Sequence, residues 1–222
     1  FTTEPGALKE LTEASPLATA APLRQVPGKV SALAVAGAPW ALSGSVLSEL
    51  TGSAPKTFGV EGSKPGQLKK ARGLAIDGEG NLWVADTGND RVQKFGPDGT
   101  NLQTLGRDGS DDGEFDEPSG LTVSGRGKLF VADTGNKRIQ VFSARGVFLN
   151  AFGKKGKLSG QFSEPVDVAV DAAENIYVAD RGNDRIAKFD SNGKLLWEAG
   201  QNGSKAGEFI KPENIAVSPD NE

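Results

Sequence analysis

Asp, Asn and Arg recur at one spacing three times in this chain, as Asp86/Asn89/Arg91, Asp133/Asn136/Arg138 and Asp180/Asn183/Arg185. A carboxylate and a guanidinium this close could present a paired charge to a ligand. They could also fork together across a tight turn and hold it. Recurrence in successive units favours the second use, because a site is usually singular. These nine residues are read as a structural motif, with the Gly-Asn between them forming the turn.

Two other groups carry oxygen chemistry. The stretch Asp108–Glu117 (DGSDDGEFDE) could attract a hard cation. Its carboxylates at 108, 111, 112, 114, 116 and 117 follow no regular ligand step and do not match the twelve-position calcium loop. A solvated connecting loop is the better account. Its counterpart one unit later is basic, Lys154, Lys155 and Lys157. Residues 114–160 carry eight Lys/Arg against four Asp/Glu, while the flanking units come out negative. Such charge alternation can steer a partner.

The 222 residues include no His and no Cys, and the net charge is −4. Without Cys there are no disulfides or thiolate metal sites. Without His, Ser-His-Asp triads, His-ligated zinc and His-based proton transfer are excluded. Mild acidity argues against a nucleic-acid binder, which needs a basic footprint, so nucleic acid is not expected as a partner. No apolar run approaches the roughly 20 residues that a membrane helix requires. No cofactor, no metal site and no catalytic set is read from the chain. No small-molecule substrate is evident, and the expectation is a chain that is not an enzyme.

The elements that hold these residues repeat every 47 positions. Val-Ala-Asp stands at Val84–Asp86, Val131–Asp133 and Val178–Asp180. Gly59, Gly106, Gly153 and Gly200 keep the same step, as do Gly66, Gly113, Gly160 and Gly207. A fixed period of this length marks units that bury their apolar faces against their neighbours. Each unit reads as four strands. The first is GLAID (73–77), GLTVS (120–124), DVAVD (167–171) and NIAVS (214–218), apolar at alternate positions. The second is NLWVAD (81–86), KLFVAD (128–133) and NIYVAD (175–180), apolar on both faces as in a sheet packed between two others. The third is RVQKF (91–95), RIQVF (138–142) and RIAKF (185–189), and the fourth centres on Leu102, Leu149 and Leu196. Turns rich in Gly, Asn and Asp, such as DGEG, TGND and GPDG, join them as hairpins. Four short antiparallel strands per unit make the blade of an all-β propeller.

The division is an Ala/Pro/Thr-rich linker or extended arm at 1–27, a degenerate blade at 28–66, blades at 67–113, 114–160 and 161–207, and the first strand of a further blade at 208–222. That is about four and a third blades. The expectation is a fragment of a longer, six-bladed ring; a four-bladed ring closed by the N-terminal segment is the alternative. In either ring the first strands start near the axis at one mouth. Arg72, Ser119, Asp167, Glu213 and Asn214 lie there and, with Lys154, Lys155 and Lys157, are the candidate partner-binding residues. Asp167 and Asn214 are two oxygen donors at equivalent positions, too few for a metal centre by themselves.

The run G-E-F-x-x-P … V-A-D-T-G-N-x-R-I-Q-V-F, clear in Gly113–Phe142 and nearly so in Gly160–Phe189, resembles the NHL repeat of bacterial type. The likeness covers roughly residues 59–222. It implies a β-propeller, commonly of six blades, and a family of protein- and RNA-binding modules, extracellular sensor domains and parts of bacterial surface proteins. An amidoglycolate lyase branch holds its metal with His, so that activity does not carry over. The resulting expectation is a non-catalytic protein-interaction or scaffold propeller, extracellular or at the cell surface, whose partner is a protein or the remaining blades of a larger chain. The alternatives are a partial metal-dependent hydrolase or lactonase, and an RNA-binding module.

Overall fold

The computed structural model describes residues 29–36, 38–50 and 56–218; the arm expected at 1–27 lies outside the described residues. It is built almost wholly from strands. The first sheet is β1 (Ala32–Ala36), β2 (Ala38–Ser43), β3 (Val46–Glu49) and β4 (Thr57–Phe58). A parallel pair, β5 (Val60–Glu61) and β6 (Gln67–Leu68), leads to the second sheet: β7 (Gly73–Ile76), β8 (Leu82–Asp86), β9 (Arg91–Phe95) and β10 (Asn101–Leu105). The third holds β11 (Pro118–Val123), β12 (Leu129–Asp133), β13 (Arg138–Phe142) and β14 (Phe148–Phe152). The fourth holds β15 (Pro165–Val170), β16 (Ile176–Asp180), β17 (Arg185–Phe189) and β18 (Leu195–Ala199). Each is a four-stranded antiparallel meander in chain order.

The sheets stack face to face, and an apolar layer fills each gap. Trp40, Leu42 and Leu47 of the first sheet meet Leu74, Leu82, Val84 and Phe95 of the second. Trp83, Ala85 and Val92 of the second meet Leu121, Leu129, Val131 and Phe142 of the third. Phe130, Ala132 and Ile139 of the third meet Val168, Ile176, Val178 and Phe189 of the fourth. Period-two alternation explains why one strand serves two layers, since Leu82 and Val84 point one way and Trp83 and Ala85 the other. The first strands β1, β7, β11 and β15 follow one another in contact, which places them innermost. The fourth strands are outermost, and Leu102, Leu149 and Leu196 are half-exposed there.

Between blades the chain crosses from an outermost strand back to an innermost one and is clipped on the way. Glu61–Leu68, Asp108–Phe115, Lys155–Phe162 and Asn202–Phe209 form the same parallel rung, extended by Val60–Gln67 in the first case. The Gly that opens this crossing needs no Cβ. Gly153 sits at φ +92, and a Cβ there would lie 2.4 Å from Phe162 Cδ2.

One expected element differs. Residues 214–218 form no strand in the structure. A strand is defined by its ladder, and among the described residues no second strand follows it to pair with.

Candidate functional site

Antiparallel meanders have two ends, and the end at which a residue lies follows from topology. One end carries the starts of β7, β11 and β15, the β8–β9 type turns and the crossings. The other carries the β7–β8 and β9–β10 type turns.

The cassettes lie at the first end and face inward. Asp86, Asp133 and Asp180 are wholly buried. Asp133 Oδ2 accepts from Arg138 Nε at 2.7 Å, Gln140 Nε2 at 2.9 Å and Asn136 Nδ2 at 3.0 Å, and Oδ1 accepts from the Asp116 N–H at 2.9 Å. Arg138 also donates to the Asp111 and Glu114 carbonyls, and Asn136 to the Gly109 carbonyl. Asn89 and Arg91 do the same for the carbonyls of Gly62, Ser63, Lys64 and Gln67. In the fourth blade Asn183 Nδ2 donates to Asp180 Oδ2 at 2.5 Å and to the Gly156 carbonyl at 3.1 Å, and Arg185 donates to the Leu158 and Gln161 carbonyls. Each cassette therefore ties its own hairpin to the crossing that precedes it, and its polar capacity is used within the frame except at Arg185 Nε, which is buried 3.5 Å from Asp180 Oδ2 without a hydrogen bond.

The turn itself differs from the expectation of a Gly-Asn hairpin. Gly182 and Asn183 do not supply the left-handed position. Arg181–Asn183 form one turn of 3-10 helix, as Thr87–Asn89 do in the second blade. The next residue is the left-handed one, Asp184 at φ 54 and Asp90 at φ 50. The reason is loop length. Asp180 pairs with Arg185, as Asp86 does with Arg91, and a connection longer than two residues closes through a right-handed turn before one left-handed residue. Asn183 is thus a tie to Asp180 and Gly156 rather than the residue that reverses the chain.

The fourth blade differs from the others in one further respect. Ala187 stands where Gln93 and Gln140 stand, and Glu198 from β18 takes over the Gly160 N–H and pairs with Arg185 at 3.1 Å. Gln93 and Glu198 belong to this network, although the sequence alone does not mark them.

The acidic stretch 108–117 does not converge. Glu114 pairs with Arg107 at 2.8 Å and accepts from the Asp111 N–H, and Asp112 lies 3.9 Å from Arg138. Among the described residues no group of three or more carboxylates could hold a metal ion.

At the mouth, Ser119 is buried, donates to the Val166 carbonyl at 2.7 Å and lies 2.6 Å from Thr134 Oγ1. Thr87 and Thr134 each donate across to the next blade, to the carbonyls of Pro118 and Pro165 at 2.7 Å. The fourth blade has Arg181 at this position. Its guanidinium bonds Glu164 and lies 3.5 Å from Glu213. The Arg181 bond holds the Glu164 carboxyl below its usual range. Sequence reasoning does not single out Arg181 or Glu164, though the change from T-G-N to R-G-N is a signal for the first. Arg72 and Asn214 are exposed, and so are Lys154, Lys155 and Lys157, which lie radially outward beyond β14. The candidate residues thus share one end without forming one cluster.

Asp167 replaces the Gly73 and Gly120 of earlier blades. Its Oδ2 accepts from the Ile215 N–H at 3.0 Å and Oδ1 from its neighbour Val168 at 2.9 Å. A Cβ on Gly120 would fall 2.1 Å from Asp167 Oδ1, so the acid fills the space that Gly120 leaves. Burial pushes its carboxyl up to about 6, and the two backbone bonds only partly oppose this. The folded value exceeds the ordinary 3.8. Its contribution to stability is therefore full below about pH 4 and is lost as pH rises through 6. The expected result is a carbon-13 titration of the Asp167 carboxyl with a midpoint near 6. A midpoint in the ordinary carboxylate range would contradict the packing described.

At the second end, the β7–β8 turn and the adjoining ends of β9 and β10 in the second blade, with the β11–β12 and β13–β14 turns of the third, line an open groove of about 850 Å3. Asp77 pairs with Lys94 at 2.9 Å and accepts from Trp83 Nε1 at 3.2 Å.

An NHL repeat family model matches residues 68–95, and a family described as a 6-bladed beta-propeller matches residues 107–200. Protein wech of Drosophila melanogaster is 43% identical over 44 residues, 20% of this chain and 5% of that protein. Among solved structures, virginiamycin B lyase from Staphylococcus aureus superposes with a TM-score of 0.66 at 14% identity, covering 86% of this chain and 61% of that one. A gluconolactonase from Xanthomonas campestris gives 0.62 at 19% identity, covering 86% and 66%. The chain thus spans less than two thirds of either solved chain's length. At these identities the likeness shows the fold alone.

One expectation is corrected by these findings. A chain that is not an enzyme does not follow from a propeller fold without His. The fold is shared with a lyase and a lactonase, so the fold does not set this chain apart from enzymes. What the missing His removes is narrower: chemistry that passes through an imidazole.

Proposed function

The chain carries NHL repeats folded as β-propeller blades, and from that premise we propose that it is a protein-binding propeller of a secreted or cell-surface assembly. The observation that carries this reading is the division of its polar residues. Those that repeat are spent inside the frame: the carboxylates of Asp86, Asp133 and Asp180 are wholly buried. Those that change from blade to blade stand at the two ends, as Arg181 does in place of Thr, and Arg126 and Arg145 do in otherwise acidic turns. A rigid frame with variable ends presents a surface at little conformational cost. Chemical cross-linking in the source cells, followed by reconstitution from purified components, tests it. A stoichiometric complex contacting either end supports the reading; a chain that forms no such complex overturns it.

A second reading is favoured by Asp167, a half-buried carboxyl at the start of β15 whose pKa is raised to about 6, in a fold shared with enzymes. Raised carboxyls of this kind serve as proton donors and acceptors near neutral pH. The metal-dependent version needs ligands beyond the described residues. Turnover of a lactone and ester panel that falls at least about tenfold in Asp167→Asn would establish it; no turnover in the unaltered protein would remove it.

A further inference from the structure

The third blade is the exception in charge at the second end. The first-hairpin turn is Asp77-Gly78-Glu79-Gly80 in the second blade and Asp171-Ala172-Ala173-Glu174 in the fourth, but Ser124-Gly125-Arg126-Gly127 in the third. The second hairpin there turns through Arg145 where its neighbours have Asp98 and Asn192. Both guanidiniums are exposed and line the groove between the second and third blades. No ion pair binds either of them among the described residues. Arg126 feels Glu174, which is itself paired with Lys128.

The corresponding gap between the third and fourth blades is bridged. Lys128 crosses it to Glu174 at 2.8 Å. The groove between the second and third blades lacks that bridge. On its far wall Asp77 is held by Lys94, Asn81 and Trp83, and the exposed Glu79 accepts from Asn81 Nδ2 at 3.1 Å. Leu102, 53% exposed, and Ala144 add apolar surface beside the two arginines.

We infer that this groove is the docking site for an extended acidic peptide segment of the partner, with carboxylates against Arg126 and Arg145 and an apolar side chain against Leu102. This rests on the protein-binding reading above and names the partner's chemistry. Arg pairs recognise carboxylates bidentately. An RNA strand fits less well. Trp83 is 1% exposed and offers no stacking face to a base.

The test is fluorescence anisotropy with the full chain and a fluorescein-labelled peptide of alternating Glu and Leu. The same peptide with Gln for Glu and a single-stranded oligouridylate serve as alternatives. The expected result is binding of the Glu peptide that weakens at least about tenfold in Arg126→Glu/Arg145→Glu. It is unchanged in Lys64→Glu/Lys205→Glu, which reverses two exposed charges at the other end. Absence of binding, equal binding of the Gln peptide, equal binding by the double variant, or arginine-dependent binding of the oligouridylate instead would each overturn it. If a cross-linked partner binds the double variant undiminished, this inference fails and the protein-binding reading stands. If no partner is found and no peptide binds, both fail.

Discussion

Replacing Asp133 with Ala is expected to cost about 3–5 kcal/mol of folding stability, the range seen when one partner of a buried ion pair is removed. The carboxylate is wholly buried and is the common acceptor for Arg138, Gln140, Asn136 and the Asp116 backbone. Without it, the buried Gln140 and the half-buried Asn136 and Arg138, the last a positive charge, lose their common acceptor. Arg138 keeps its bonds to the Asp111 and Glu114 carbonyls, which limits the loss. The damage falls on the crossing that precedes the third blade as much as on the hairpin. Urea unfolding gives the magnitude, and hydrogen exchange locates it: amides at 109–116 should lose protection first. A cost within about 0.5 kcal/mol, the usual span of a surface substitution, would mean that the network is not what holds the crossing.

Phe162→Ala is expected to cost a comparable amount, about 3–5 kcal/mol, whereas Phe209→Ala in this chain costs much less. The two residues occupy the same rung of the same clip, one unit apart. Phe162 is wholly buried between the third and fourth blades and packs on Phe189 at 5.6 Å between ring centroids. Phe209 remains partly exposed among the described residues. Its opposite neighbour would be a blade that the described residues do not include. The pair separates what the clip contributes locally from what blade stacking contributes. Equal costs by urea unfolding would show that the clip, not the stacking, supplies the stabilisation.

Much of this was legible in the sequence, for a physical reason. Strand pairing within a blade is local: alternating apolar residues, turn-forming residues and a constant step put Leu82–Asp86, Leu129–Asp133 and Ile176–Asp180 where the structure has them. Burial of both faces of these strands also follows from their composition, since a strand with Leu82, Trp83 and Val84 in succession has no polar face to give to water. The tertiary structure decided the rest. Arg91 and Arg138 bond carbonyls that lie 24 to 28 positions earlier in the chain, Asn183 bonds one 27 positions earlier, and Asp167 accepts from Ile215, 48 positions later. Such contacts depend on how one sheet stacks on the next and on how the crossing folds back, neither of which a period specifies. The meander itself divides the basic residues of the third blade, sending Lys154, Lys155 and Lys157 to one end and Arg126 and Arg145 to the other. Sequence by itself determined the repeat, the strands and the absence of imidazole chemistry. Only the packed blades decided which charges are used up inside the frame and which remain free to meet a partner, because burial and ion pairing belong to neighbours in space.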